Sequence, residues 1–224
     1  MQISESEIRK FVLHFLNESN LERVNELAAQ ADSLGYALAR VGLRSSYEHG
    51  AILYDPKIVE KIKDSKDLKN FSINPVIAFV FWSDDPEENN CEDSGVITYS
   101  ASKENSKMGP IPYEYSLWAS KKGVAPDRRA VTKHAKSVWK KYAERPDVEK
   151  RNFSKDTGCV IHNDELLDKV YSSKSLGVPF RNLTNRHSSF ISKMWNTAFG
   201  FDLRKFLISS AMSLFSERYI RDDI

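Results

Sequence analysis

The chain has 224 residues, 41% apolar and 11% aromatic, enough for one large domain with a true core. Its 33 Lys+Arg stand against 31 Asp+Glu, and a net charge of +2 gives no strong global electrostatic case for nucleic acid or a membrane surface. The two cysteines, Cys91 and Cys159, lie far apart without a neighbouring Cys or His at ligand spacing. They argue against a disulfide scaffold or a structural zinc and predict a reducing compartment. No apolar run approaches the roughly 18 residues of a membrane span. With a charged amphipathic start in place of a signal peptide, a soluble protein is expected.

In chain order, Ser4 and Glu7 form a capping box ahead of a helix carrying Ile8, Phe11, Val12, Phe15 and Leu16. Asn20 caps a second helix with Leu21, Val24, Leu27, Ala28, Ala31 and Leu34 on one stripe. Together they predict an N-terminal helical hairpin over 1–45. Ala51 to Tyr54 reads as a short strand, and Lys57 to Lys69 as a polar connector with some helix. Ile73 to Trp82 is the strongest strand, β-branched, aromatic and nearly unbroken in apolarity. The polar run from Asp84 to Asn90 predicts a turn joining it to an antiparallel strand from Gly95 to Ala101.

The segment from Gly95 to Arg145 is the most informative, reading as strand, loop, helix, loop, helix. Gly109 permits a positive φ or close backbone approach, and Pro110 or Pro112 suits a first helical turn. The helix after it holds Tyr113, Tyr115, Leu117 and Trp118. Its N-terminus is a candidate anion site through exposed backbone amides. Ala125-Pro126-Asp127-Arg128-Arg129 precedes a second helix, Val131 to Glu144, with Val131, Ala135, Val138, Trp139 and Tyr142 on one face. Arg128 is suited to binding a phosphate or carboxylate bidentately. Lys121, Lys122, Arg128, Arg129, Lys133, Lys136, Lys140 and Lys141 cluster here, as a solvated face first and a polyanion site second.

Beyond it, Asn152 to His162 is polar and irregular, and Leu166 to Phe180 reads as weakly helical and then loop-like. A helix begins at Asn185 or Ser188, and a last one spans Asp202 to Arg218. The 46–150 core and a helical extension over 151–224 make the fold class α+β, or mixed α/β.

Three runs carry a resemblance: Gly109-Pro110-x-x-Tyr113, then Ala125-Pro126-Asp127-Arg128, then Val138-Trp139-x-x-Tyr142-x-x-Arg145-x-Asp147-Val148. This order is similar to that of a family of bacteriophage GNAT-like proteins, relatives of the GNAT N-acetyltransferases; Tyr171 and His187 also match. The resemblance spans residues from about 73 to the end. It implies a GNAT-like twisted, mainly antiparallel sheet flanked by helices, splayed at the strand before the loop, with acetyl-CoA in the splay. It further implies that Ser106, Lys107, Met108, Gly109, Ile111 and Tyr113, with Arg128, form the cofactor site. The chain departs from the GNAT pyrophosphate loop in offering one glycine, Gly109, while Pro110 and Pro112 each remove an amide donor.

A catalytic Tyr stands in many GNAT enzymes where this chain has Trp139; Tyr142, further along the helix, is the candidate acid and Glu114, beside the loop, the candidate base. Glu104, Glu114 and Asp93 each read first as surface carboxylates, and His134 and His162, conceivable as bases, as structural groups. No Ser-His-Asp, metal-ligand or Walker-type constellation occurs. The resulting expectation is a phage protein of the host cytoplasm or virion, transferring acetyl from acetyl-CoA to an unknown amine. The alternatives are a non-enzymatic virion or interaction protein that retains the fold, and a nucleic-acid-modifying enzyme.

Overall fold

A computed structural model of the chain describes residues 22–43, 48–64, 73–84, 94–127, 133–154, 159, 163–195 and 203–222. The first expected helix, Arg128 and the candidates Asp93 and His162 lie outside them. Seven strands form one sheet: β1 (Ala37–Gly42), β2 (Glu48–Tyr54), β3 (Val76–Ser83), β4 (Gly95–Ser102), β5 (Val124–Ala125), β6 (Val148–Asn152) and β7 (Lys169–Ser173). Their order across the sheet is β1-β2-β3-β4-β5-β7-β6. Every neighbouring pair is antiparallel except β4 with β5. The described helices are α1 (residues 22–33), α2 (Pro56–Asp64), α3 (Pro110–Ala119), α4 (Lys133–Glu144), α5 (Val178–Trp195) and α6 (Leu203–Asp222).

The sheet is covered on both faces, and the strand sequences show why. All eight residues of β3, VIAFVFWS, are buried. Val80 and Trp82 join Ala51, Leu53, Ile97 and the α3 and α4 residues Leu117, Trp139 and Tyr142 on one face. Phe79 and Phe81 join Ile52, Tyr54, Phe190, Leu207 and Ala211 on the other. A strand buried on both faces has no polar side to alternate with, hence its unbroken apolarity. The mixed α+β class and the antiparallel β3–β4 pair agree with the sequence reading.

Several elements differ from it. β1 precedes the expected core, β6 is a strand for which no element was expected, and β7 stands where a weak helix was expected. In β6 only Val148 is buried, so VEKRN carries no apolar alternation. α5 starts at Val178, ahead of the expected Asn185 or Ser188, with Pro179 in its first turn, where a missing N–H costs nothing. Cys159 is disulfide-bonded, which corrects the expectation of unpaired cysteines; separation along the chain says nothing about pairing in space. No described helix is long and apolar enough to cross a membrane.

Candidate functional site: the open edge of strand β4

The β4–β5 ladder is short. Gly95 pairs with Val124 and Val96 with Ala125, and there the parallel pairing ends. β4 continues to Ser102 while remaining paired to β3 on its other side. From Ile97 to Ser102 its edge away from β3 therefore has no strand partner among the described residues, although β4 lies in the middle of the sheet. Unpaired backbone N–H and C=O groups in such a place require another partner.

A β-bulge shapes the same edge. Tyr99 pairs with Phe81 and Ile97 with Trp82, leaving Thr98 unmatched. An extra residue inverts the alternation of faces beyond it. Ile97 accordingly packs with the α3 face, whereas Tyr99 meets Phe215 of α6 at 5.2 Å, edge to face. Ser100 turns back to α3 and hydrogen-bonds the Tyr113 hydroxyl at 2.8 Å.

The loop from β4 to α3 turns by two left-handed residues, Asn105 at φ 59° and Lys107 at φ 57°. Gly109 has ordinary helical angles, φ −51° and ψ −37°, so of its two expected uses the positive φ is not made there, and a Cβ would lie 3.4 Å from Ser102 Oγ. The amides of Ser106, Met108 and Ile111 are satisfied within the loop, by Lys103 O, Ser106 Oγ and Met108 O. Pro110 and Pro112 have none to give. The donors left without a partner among the described residues are the Asn105, Lys107 and Gly109 amides. The N-terminus of α3 keeps its dipole but lacks the usual array of free amides.

Sequence reasoning also singled out Met108, Ile111 and Tyr113, at 3%, 0% and 9% exposure. They line the inner side of the loop and of α3, while Lys107 is exposed and Ser106 half-buried. Arg128 is not among the described residues.

The catalytic candidates Glu114 and Tyr142 meet each other. Both are buried, and a hydrogen bond joins their side chains. The Arg145 guanidinium pairs with both Glu114 oxygens, Nη2 to Oε2 at 3.3 Å, and also with Asp147, Nε to Oδ1 at 3.0 Å. Burial pushes the Glu114 carboxyl up, against the pull of Arg145. Burial lowers Arg145, yet its bonds to Asp147 and Glu114 hold it above its ordinary value. Tyr142 is raised well above the usual phenol, chiefly by burial. Trp139 packs between Tyr113 at 6.1 Å, Tyr142 at 6.0 Å and Tyr171 at 5.0 Å. Aromatic residues of α3, α4 and β7 thus form one core, in which Glu114, Tyr142 and Arg145 engage each other while the Tyr113 hydroxyl bonds Ser100 and the Tyr171 hydroxyl bonds the Leu166 carbonyl.

Residues that sequence reasoning missed gather at the closed end of the β4–β5 pair. His49 Nε2 lies 3.4 Å from Asp84 Oδ2, and the His49 ring lies 5.7 Å from the Trp82 indole. Their positions 35 residues apart carried no motif; strand register alone brings them together. Among the described residues no cluster of three or more His, Cys, Asp or Glu is arranged to hold a metal.

Comparison with known proteins gave no match to any family model, any curated protein or any solved structure.

Proposed function

We propose that the chain is a GNAT-like protein that takes acetyl-CoA into the open edge of β4 and passes the acetyl group to an amine. The observation that carries this reading is the single parallel pair, β4 with β5, released after two residue pairs in an otherwise antiparallel sheet. An exposed strand edge recognises an extended, amide-bearing chain by main-chain hydrogen bonds. The pantetheine arm of acetyl-CoA is such a chain. Its pyrophosphate suits the free Lys107 and Gly109 amides, the Lys107 ammonium and the positive end of α3. Support for the reading is the unpaired edge on one side and, at the loop, few donors.

Acetyl-CoA would supply the activated acetyl thioester. The protein would orient it along Ile97 to Ser102, with main-chain N–H groups of the edge available to a carbonyl oxygen. Glu114 and Tyr142 support the helices behind the site rather than moving protons in it, because their polar atoms are already engaged with each other and with Arg145. Hydrogen exchange tests the placement. Acetyl-CoA should slow exchange at β4 amides between Ile97 and Ser102 and at Lys107 and Gly109; unchanged exchange there, with protection elsewhere, rejects it.

A second reading draws on the buried Glu114–Arg145–Tyr142 network. Burying both candidate catalytic groups suits a phage virion or interaction protein that keeps a GNAT-like fold without its chemistry. Stoichiometric recovery of the chain from purified phage particles would support this reading, and absence from them would oppose it.

A further inference from the structure

β6 is the last strand of the sheet and pairs only with β7 among the described residues. The direction of its backbone follows from one bond. Asn152 lies opposite Lys169, and one step beyond them the Phe153 amide donates to the Asp168 carbonyl at 3.2 Å. Alternation along an antiparallel ladder then turns the N–H and C=O of Phe153, Arg151 and Glu149 toward β7, and those of Val148, Lys150 and Asn152 outward. The outward groups meet no strand among the described residues, and Glu149 to Asn152 are all exposed. β6 keeps one register along its length, without a proline or a bulge to blunt it, so its edge is a template for another strand.

The charges along the edge select the strand that fits. Glu149 and Arg151 stand two residues apart and share one face of the sheet. When VEKRN meets a second copy of itself antiparallel, a two-fold axis at Lys150 sets each Glu149 opposite the other copy's Arg151. These are the closely spaced pairs of the new ladder, with Cα atoms about 4.5 Å apart. Val148 with Asn152, and Lys150 with its own copy, become the hydrogen-bonded pairs, which match outward groups to outward groups and close about six main-chain bonds. An axis at Glu149 or Arg151 would instead set like charges in a close pair. A lysine on an edge ordinarily deters pairing. Lys150, however, turns its ammonium back onto the Arg145 carbonyl, and Asp147 attracts the same charge. Arg151 is steadied by a bond from Nη2 to the Lys122 carbonyl at 3.1 Å. Glu149 meets Lys174 in an exposed pair, a contact weak enough to be exchanged.

We infer that β6 pairs with β6 of a second copy of the chain, giving a symmetric dimer whose sheet runs from one copy into the other. The seam is short, at the low end of specific interfaces, so the dimer forms reversibly with concentration. β5 and β7 stand between β6 and β4, which leaves the open edge of β4 uncovered. Dimerisation therefore neither needs acetyl-CoA nor competes with it.

Sedimentation equilibrium on the full chain, from about 1 μM to about 1 mM, tests this. The apparent mass should rise from that of one copy toward that of two. Glu149→Arg and Arg151→Glu should each weaken dimerisation at least about fivefold, because each sets like charges in both close pairs. Mixed together, the two variants should associate with each other, since every close pair then carries opposite charges. Lys150→Pro removes an outward N–H while leaving the ladder to β7 intact, and should abolish the dimer. Circular dichroism confirms the fold of each variant. A dimer indifferent to these substitutions places the contact elsewhere, and a mixture that stays monomeric rejects the register; either result overturns the inference. A chain monomeric at every concentration leaves the edge to water or to a different protein, and overturns it as well.

Discussion

Arg145 grips Glu114 from 31 positions away in a pair where both side chains are under a tenth exposed. Removing one partner of such a pair strands the other charge in the core. Arg145→Ala should therefore lower unfolding stability by about 3–5 kcal/mol, read from a urea midpoint at unchanged slope. Glu114→Gln, which keeps shape and one acceptor, should cost less. Wild-type stability in Arg145→Ala would show that the pair is not structural.

Tyr142 gives a kinetic counterpart. Its hydroxyl is buried, bonded to Glu114 and held well above the usual phenol range by burial. Tyr142→Phe should then leave the pH profile of any acetyl transfer unchanged while costing about 0.5–1.5 kcal/mol of stability. A lost alkaline limb in that profile would restore Tyr142 as a proton donor.

His187 makes stability pH-dependent. Burial lowers its imidazole from 6.5 to about 4, beside a 2.9 Å contact between Nδ1 and the Tyr54 hydroxyl. The unfolded chain takes up the proton at the higher value and the folded chain only at the lower. This contribution to stability is therefore complete above the unfolded value and is lost as the pH falls toward about 4. Denaturation midpoints compared for wild type and His187→Gln should diverge less at the acid end of that window than at its neutral end. Parallel curves would remove His187 as the cause.

Gly123 sets the turn into β5 with φ +77°, and a Cβ there would lie 2.8 Å from Val170 Cγ1 and 2.9 Å from the Tyr171 carbonyl oxygen. Left-handed geometry and a backbone contact act together, so Gly123→Ala should destabilise by about 1–3 kcal/mol. At Lys107, also left-handed, the substitution runs the other way: Lys107→Gly should be neutral or stabilising by up to about 1 kcal/mol. It should leave the loop amide in place while removing the ammonium. A melting-temperature change of opposite sign at either position would contradict the backbone assignment.

How much was legible in the sequence depended on whether an element's own residues carried its environment. β3 was readable because both of its faces are buried, and α3 because Pro110 and Tyr113 announce a helix start and a core contact. β5 is two residues long, and only tertiary pairing makes it a strand. β7, KVYSS, buries Val170 and Tyr171 in succession, a pattern no period identifies. In the candidate site, Tyr113, Trp139, Tyr142 and Arg145 stood out in the sequence as a spaced set, but their mutual engagement did not. Whether a Glu or Tyr faces a cleft or a buried guanidinium is decided by helix rotation and partners distant in sequence. His49, Trp82 and Asp84 were invisible for the same reason: cross-strand register, not spacing, assembles them.

The central claim is that the open edge of β4 holds acetyl-CoA, and thermal unfolding with the ligand tests it most directly. A ligand at a hundredfold its dissociation constant stabilises the native state by about 2.7 kcal/mol. The account predicts a melting temperature that rises with acetyl-CoA concentration and follows that relation. A melting temperature unmoved by millimolar acetyl-CoA would contradict it.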